Sequence, residues 1–405
     1  MQNAQAGCGR GAGSGRISPG RRCATLAAWV LLCALVLSSG STRAAGFDAS
    51  IAIRVPGPGA RPQIAFACCD QGIGPMQALF ADPGVTAQLK RLGAGVGVAI
   101  QDFSPERAAL VRQLNQAGIP AIAWLLLAKS DGYYLNADNA PAAAARVDAF
   151  EQWTQQNHLQ WAAVGLDIEP DYARFKGLSG HRWQLAATLL RRAFDFRRMA
   201  RARRQYAALV RKLQVDGYSV QTYQMPYVLA ERREGSALAD RLLGTVDVRG
   251  NEEYVMLYTS FARPAGAGII WELAPEAQGI ALGSTDGEGT AGSATGPLNW
   301  DEFSRDLIVA GHFSRNIGVY NLEGCVRQGF LARLNNLNWN APAVIPAASV
   351  SRAQRLGFLV RCLFWVSAHC LFLVCCAVLV VAAVFRQRRL SRRMKSSVMA
   401  IRLRS

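Results

Sequence analysis

Residues 161–172 read Trp161-Ala162-Ala163-Val164-Gly165-Leu166-Asp167-Ile168-Glu169-Pro170-Asp171-Tyr172. The alternation is that of a β-strand. Val164, Leu166 and Ile168 point one way, and Gly165, Asp167 and Glu169 point the other. Pro170 has no amide hydrogen for a ladder, so the strand ends there. Two carboxylates on one face of a strand end are costly to bury unless they are paired or used. A parallel α/β barrel keeps its chemistry at that end of its strands. The same pair also suits a structural or metal-binding role, and the motif alone leaves both open.

Outward from this stretch, the chain between Phe47 and Leu337 holds eight short apolar or β-branched runs. They are Gln63–Cys69, Gly95–Gln101, Ile119–Leu127, Ala162–Glu169, Tyr218–Tyr227, Tyr254–Ser260, Gly279–Gly283 and Asn316–Leu322. Helical patterns fall between them near Met76–Leu92, Pro105–Ala117, Ala140–Gln156, Trp183–Val215, Ser236–Leu243 and Trp300–His312, and a last one at Val326–Leu334. The seventh crossover, near Trp271, is weakly marked. The order predicts a (β/α)8 TIM barrel over residues 47–338, with an open doubly wound sheet as the alternative. Gly283–Gly296 is rich in Gly, Ser and Thr and reads as a long loop. Along Trp183–Val215, Leu185, Leu189, Phe196, Met199, Tyr206, Val210 and Leu213 supply a stripe at helical spacing, with arginines over the rest. Those arginines form a solvated face or a docking surface for an anionic polymer or lipid headgroups.

The net charge of +17 over 405 residues resides at the two ends. Residues 1–43 hold five arginines and residues 352–405 hold eleven Lys or Arg, both without acids, leaving 29 basic residues against all 28 acids. A near-neutral body removes the electrostatic footprint of a nucleic-acid binder. Residues 1–45 join a basic start, an apolar run from Cys23 to Leu37 and a small-residue flank, the pattern of a signal peptide or an uncleaved N-terminal anchor. Cys362–Phe385 runs 24 residues without a formal charge, and about 20 suffice to span hydrocarbon. The expected layout is a linker at 339–355, a transmembrane helix at 356–385 and a basic tail at 386–405. Arginines straight after the span place the tail in the cytoplasm and the barrel outside. Three cysteines, Cys68, Cys69 and Cys325, lie in the body. Strands one and eight of a closed barrel are neighbours, so a disulfide from Cys325 to Cys68 or Cys69 is expected.

Residues 162–169 resemble the fourth-strand signature of glycoside hydrolase family 18, the chitinase-like barrels, whose pattern is D-G-x-D-x-D-x-E. Asp167 and Glu169 match its last two functional positions, while Ala162, Ala163 and Gly165 depart from the earlier ones. Met256-Leu257-Tyr258-Thr259 resembles the family's M-x-Y-D, with threonine for the acid, and Tyr320 stands where the family carries a Trp. Glycoside hydrolase family 25 is similar in its strand-end D-x-E and is a rival on the same residues. The resemblance to family 18 implies a substrate-assisted mechanism needing no metal or cofactor. Glu169 is then the general acid, and Asp167 and Tyr258 hold the sugar's N-acetyl group, which attacks as the nucleophile.

Around these three, Trp124, Tyr133, Tyr134, Tyr223 and Tyr227 sit at or after strand ends and suit stacking on sugar rings. Met256 and Tyr320 join them as substrate-binding candidates, and Glu323 is a second rim carboxylate. Glu252 and Glu253 precede the sixth run, at the stability face. His181 and His312 have no metal-like spacing. The sequence thus predicts a membrane-anchored, extracytoplasmic glycoside hydrolase acting on a cell-envelope or secreted polysaccharide with N-acetylated amino sugars. The alternative is a non-catalytic glycan-binding barrel. Expected partners are a glycan and a membrane, and no nucleic acid.

Overall fold

The structure, a computed structural model, describes residues 52–171, 182–286 and 296–402, with side chains of 388–402 excepted. The N-terminal signal or anchor, Tyr172, His181 and residues 403–405 of the basic tail lie outside the described residues. A short strand, β1 (Ala52–Val55), precedes eight parallel strands that close into a barrel. These are β2 (Gln63–Cys68), β3 (Gly95–Ile100), β4 (Ala121–Leu125), β5 (Ala163–Asp167), β6 (Val220–Gln224), β7 (Glu252–Met256), β8 (Gly279–Gly283) and β9 (Asn316–Tyr320). Each follows its neighbour in order, and β9 closes on β2 in a register from Gln63 opposite Asn316 to Ala67 opposite Tyr320. All eight strands expected from the sequence are present, and the doubly wound alternative is excluded by the closure.

Helices wrap the barrel. α1 (Ile73–Ala81) and α2 (Pro83–Leu92) follow β2, α3 (Pro105–Gln116) follows β3, and α4 (Ala140–Gln156) follows β4. α5 (Arg182–Ala193) and α6 (Phe196–Val215) follow β5, while α7 (Tyr227–Glu234) and α8 (Leu238–Leu243) follow β6. The weak seventh crossover is α9 (Ala267–Leu273), then come α10 (Trp300–Phe313), α11 (Leu322–Arg327) and α12 (Phe330–Leu334). The local signals are orthodox. Ser104 caps α3, and Asn299 with Glu302 closes a capping box on α10. The single long helix expected over 183–215 is broken at Phe194–Asp195, where the Asp195 side chain accepts the Arg198 amide at 3.0 Å and starts α6 afresh. Met199, Tyr206, Val210 and Leu213 of the expected stripe are buried, but Phe196 is exposed and lies under the Arg241 guanidinium at 4.5 Å.

The barrel interior alternates large and small residues. Tyr223 and Tyr254 stack at 5.1 Å between ring centres, in space that the glycines on neighbouring strands leave open. A Cβ on Gly165 would sit 3.2 Å from the Tyr223 ring, and one on Gly279 would sit 2.8 Å from the Tyr254 ring. The lower barrel is therefore a packed plug, and open space begins only at the C-terminal ends of the strands.

The region after the barrel differs from the expected linker. β10 (Ala343–Pro346) pairs antiparallel with β1, and α13 (Ala347–Ala368) follows it directly. Ser349, Val350 and Ala353 are buried, and Ser349 Oγ accepts the Gly268 amide at 3.2 Å, so α13 is part of the folded body. The apolar run is also not one helix: α13 ends at His369 and α14 (Cys370–Arg402) begins beyond it. Cys370–Gln387 is long and apolar enough to cross a membrane.

Candidate active site

The backbone of Asp167-Ile168-Glu169 is held from both sides. Leu135 N–H donates to the Asp167 carbonyl at 3.0 Å, Glu169 N–H to Leu135 at 3.2 Å, and Ile168 N–H to Tyr223 at 3.1 Å. Both carboxyls are thereby aimed into the barrel mouth. They line one cavity of 310 Å3 with Trp124, Tyr134, Tyr258 and Tyr320, at the lower end of the range for small-ligand sites. Met225, Pro226, Met256, Phe261 and Ile269 complete its apolar wall. A narrower space of 40 Å3 continues beneath Asp167, bounded by Ala65, Ala67, Gly97, Ala281 and Gly318. No Lys, Arg or His lines either space.

The electrostatics follow from that enclosure. Asp167 is 5% exposed. Burial pushes its carboxyl up to about 7, opposed only by the Trp124 indole, whose Nε1–H donates to Oδ2 at 3.1 Å. Its Oδ1 has no hydrogen-bond partner among the described residues. Glu169 is half-buried, and burial followed by the neighbouring Asp167 charge holds it well above the usual carboxylate range. Two carboxyls with no cation between them cannot both ionise cheaply, so the pair keeps a proton near neutral pH. Burial, with both carboxylates nearby, also raises the Tyr258 phenol, which stays a proton donor.

Of the residues singled out in the sequence, Asp167, Glu169, Tyr258, Trp124, Tyr134, Met256 and Tyr320 meet around the cavity. Trp124 stands edge-on to Tyr320 with centres 6.3 Å apart, and Tyr320 stacks on Tyr258 at 5.8 Å. Tyr223 reaches only the inner space, its hydroxyl donating to Gln221 Oε1 at 3.0 Å. Tyr227 does not reach the cavity: it opens α7, and its hydroxyl bonds Thr245 Oγ1 at 2.7 Å. Glu323 is likewise elsewhere, accepting the Cys69 amide at 2.6 Å on the rim of β2 and β9. Tyr133, in turn, accepts from Gln101 at 2.8 Å.

Sequence reasoning missed Asp70, which accepts the Tyr320 hydroxyl at 3.0 Å, and Phe261, which lies edge-on to Tyr258 at 6.0 Å. Each directly follows an apolar run marked in the sequence, Gln63–Cys69 and Tyr254–Ser260, which is the signal that would have found them. The expected Cys325 bridge is corrected as well: Cys68 and Cys69 are joined to each other, and Cys325 is a free buried thiol. Cys325 lies on α11 with its thiol beside Thr285, and burial pushes it up to about 12. Among the described residues, Cys68, Cys69 and Glu323 are the one grouping close enough for a metal, but sulfurs bonded to each other are not the thiolates such a site uses.

No protein-family model matches the chain, and no curated protein does. Solved structures do overlay on it. The glycoside hydrolase domain of PgaB (BpsB) from Bordetella bronchiseptica does so with a TM-score of 0.41 and 10% identity, over 69% of this chain and 99% of that one. A D-allulose 3-epimerase from Methylomonas sp. gives 0.35 and 12%, over 75% and 100%. At this level of similarity neither assigns a chemistry or a family, and the functional reading rests on the cavity itself.

Proposed function

We propose that this chain is a membrane-anchored glycoside hydrolase whose barrel acts, outside the cytoplasm, on a polysaccharide containing N-acetylated amino sugars. The observation that carries the reading is the Asp167–Glu169 pair. It is desolvated, free of cations and open to a cavity walled by aromatic rings. A carboxyl that keeps its proton at neutral pH is what protonating a glycosidic oxygen requires. Glu169 is that acid. Asp167, through its unpartnered Oδ1, and Tyr258, through its phenol, orient and polarise the acetamido group of the bound sugar. The acetamido oxygen attacks the anomeric carbon as the glycosidic bond breaks and Glu169 delivers its proton. Glu169, now ionised, takes a proton from the water that opens the cyclic intermediate. Trp124, Tyr258 and Tyr320 offer ring faces for stacking, and 310 Å3 suits about one sugar ring.

Arginines immediately after Cys370–Gln387 favour a cytoplasmic tail, with the barrel on the other side. The test is to present the full chain in detergent with amino-sugar polymers of graded N-acetylation and to assay new reducing ends. Release by the parent chain, with its loss in Glu169→Gln at unchanged ligand affinity, supports the reading. No release from any polymer rejects it.

A second reading is favoured by one observation. The space where the resemblance puts a relay acid, beside Gly165, is filled by the Tyr223 ring. A glycan-binding barrel without turnover would bind the same polymers and would show no activity for Glu169→Gln to remove.

A further inference from the structure

Two features of the N-terminal face of the barrel, opposite the cavity, point the same way. The first is the course of α13. Its start lies against the beginning of α9, where a Cβ on Gly268 would collide with the Ser349 carbonyl. Further along, Gly357 and Arg361 meet Glu272 at the end of α9, the ion pair being 3.7 Å. Because α9 runs from the cavity end of β7 towards the start of β8, α13 descends towards the N-terminal face. From Leu356 on, while still beside α9, it exposes Leu356, Phe358, Leu359, Leu363, Trp365 and Val366. An apolar exposed side at the level of the barrel floor leaves no polar spacer between body and bilayer. Cys370–Gln387 alone spans about 27 Å of hydrocarbon at 1.5 Å per residue, so residues 356–369 have the interface as their place, Trp365 with them.

The second feature is charge. The segments leading into β2, β3 and β9, three neighbouring strands, carry Arg61, then Lys90 and Arg91 in the last turn of α2, and Arg315. All four are exposed, and none is in an ion pair among the described residues. Arg315 donates to the Ala60 carbonyl at 3.2 Å, and Arg61 Nη2 lies 3.9 Å from where a Gly93 Cβ would be, so the loops form one patch. Residues 56–62, 90–95 and 312–316 contain no acid. Elsewhere on the same face Arg232 is held by Asp247 and Glu253 and Arg233 by Glu276.

We propose that the barrel sits directly on the bilayer by its N-terminal face, with Arg61, Lys90, Arg91 and Arg315 contacting anionic lipid headgroups and the cavity turned away from the membrane. The inference rests on the reading of Cys370–Gln387 as a span and is independent of the proposed chemistry. A basic side chain at an anionic membrane surface contributes about fivefold in association, and the contribution is screened by salt.

The full chain in nanodiscs of phosphatidylcholine, with and without phosphatidylglycerol, tests it by hydrogen exchange. Amides in residues 56–62, 89–94 and 312–316 should slow at least about tenfold with the anionic lipid. The slowing should vanish in high salt and in the exposed-surface variant Arg61→Gln/Lys90→Gln/Arg91→Gln/Arg315→Gln. Equal exchange in both discs, slowing that survives the variant, or slowing at the cavity rim instead would overturn it. So would protection that appears only when a soluble anionic polysaccharide is added to neutral discs, which would make the patch a glycan site. A chain that fails to enter nanodiscs overturns the span reading together with this one, whereas an inserted chain without protection overturns this one alone.

Discussion

Two sectors of the barrel mouth carry carboxyl groups, and they differ in what those groups face. On the β2–β8–β9 side every carboxylate has donors. Glu323 takes the Cys69 amide, Asp70 the Tyr320 hydroxyl, and Asp286 both Ser284 Oγ and Asn321 Nδ2. An empty buried oxygen occurs in both sectors, at Glu323 Oε2 and at Asp167 Oδ1, but on the β5 side Asp167, with its one indole donor, and Glu169 face the cavity. The first arrangement ties loops together, since a hydrogen bond to a charged group stabilises by about 1.5–3 kcal/mol. The second presents acids that burial keeps protonated near neutral pH to a cavity a ligand can enter. Burial raises Glu323 and Asp167 alike to about 7, so it is access to the cavity, open to Asp167 and Glu169 and not to Glu323, that separates structure from chemistry.

The largest contrast expected is between Glu169→Gln and Glu323→Ala. The first should lower turnover by roughly 10^2–10^4-fold with little loss of stability. The second should leave turnover within a few fold while lowering the unfolding free energy by about 1–3 kcal/mol, read by denaturant titration. Equal losses of turnover would erase the distinction between the two sectors. Asp167→Asn comes next. The carboxyl is raised from 3.8 to about 7 in the folded chain, so the native state keeps a proton that the unfolded chain has released. Parent stability should therefore fall as pH rises from near 4 to about 7 and level off above. The variant lacks that fall, and the gap at pH 8 should be at most about 4 kcal/mol.

Gly165→Ala should destabilise by about 1–3 kcal/mol in thermal unfolding, because its Cβ meets a Tyr223 ring locked between Tyr254 and Gln221. An unchanged melting temperature would show that the Tyr223 plug yields and that the missing relay acid has room after all. The smallest effect is that of Trp124→Phe. Loss of the indole donor raises Asp167 further, so the acid limb of the kcat/KM profile should move up by about one pH unit or less.

The barrel itself was legible because its strands are short apolar runs bounded by turns, and all eight appear within a few residues of expectation. The convergence of Asp167, Glu169, Tyr258, Trp124 and Tyr320 follows from their shared place at strand ends. What escaped depends on distant partners. Ala343–Pro346 reads as a linker until β1, almost 300 residues earlier, supplies its ladder. Tyr227 reads as a strand end, although Pro226 before it is a helix-start signal, and α7 carries the ring off to Thr245. Cys325 lies by the right rim, yet its thiol is buried beside Thr285 while Cys68 and Cys69 bond to each other. The stripe of α6 was read correctly except at Phe196, because the break at Asp195 resets the helical phase.

The claim beneath the whole account is that the β5 pair holds a proton at neutral pH inside an accessible cavity. Carboxyl carbon chemical shifts of Asp167 and Glu169, assigned by Asp167→Asn and Glu169→Gln and followed from pH 3 to 9, measure it directly. The account predicts that Asp167 titrates near 7 and that Glu169 is still protonated there. Two independent transitions near pH 4 would contradict it.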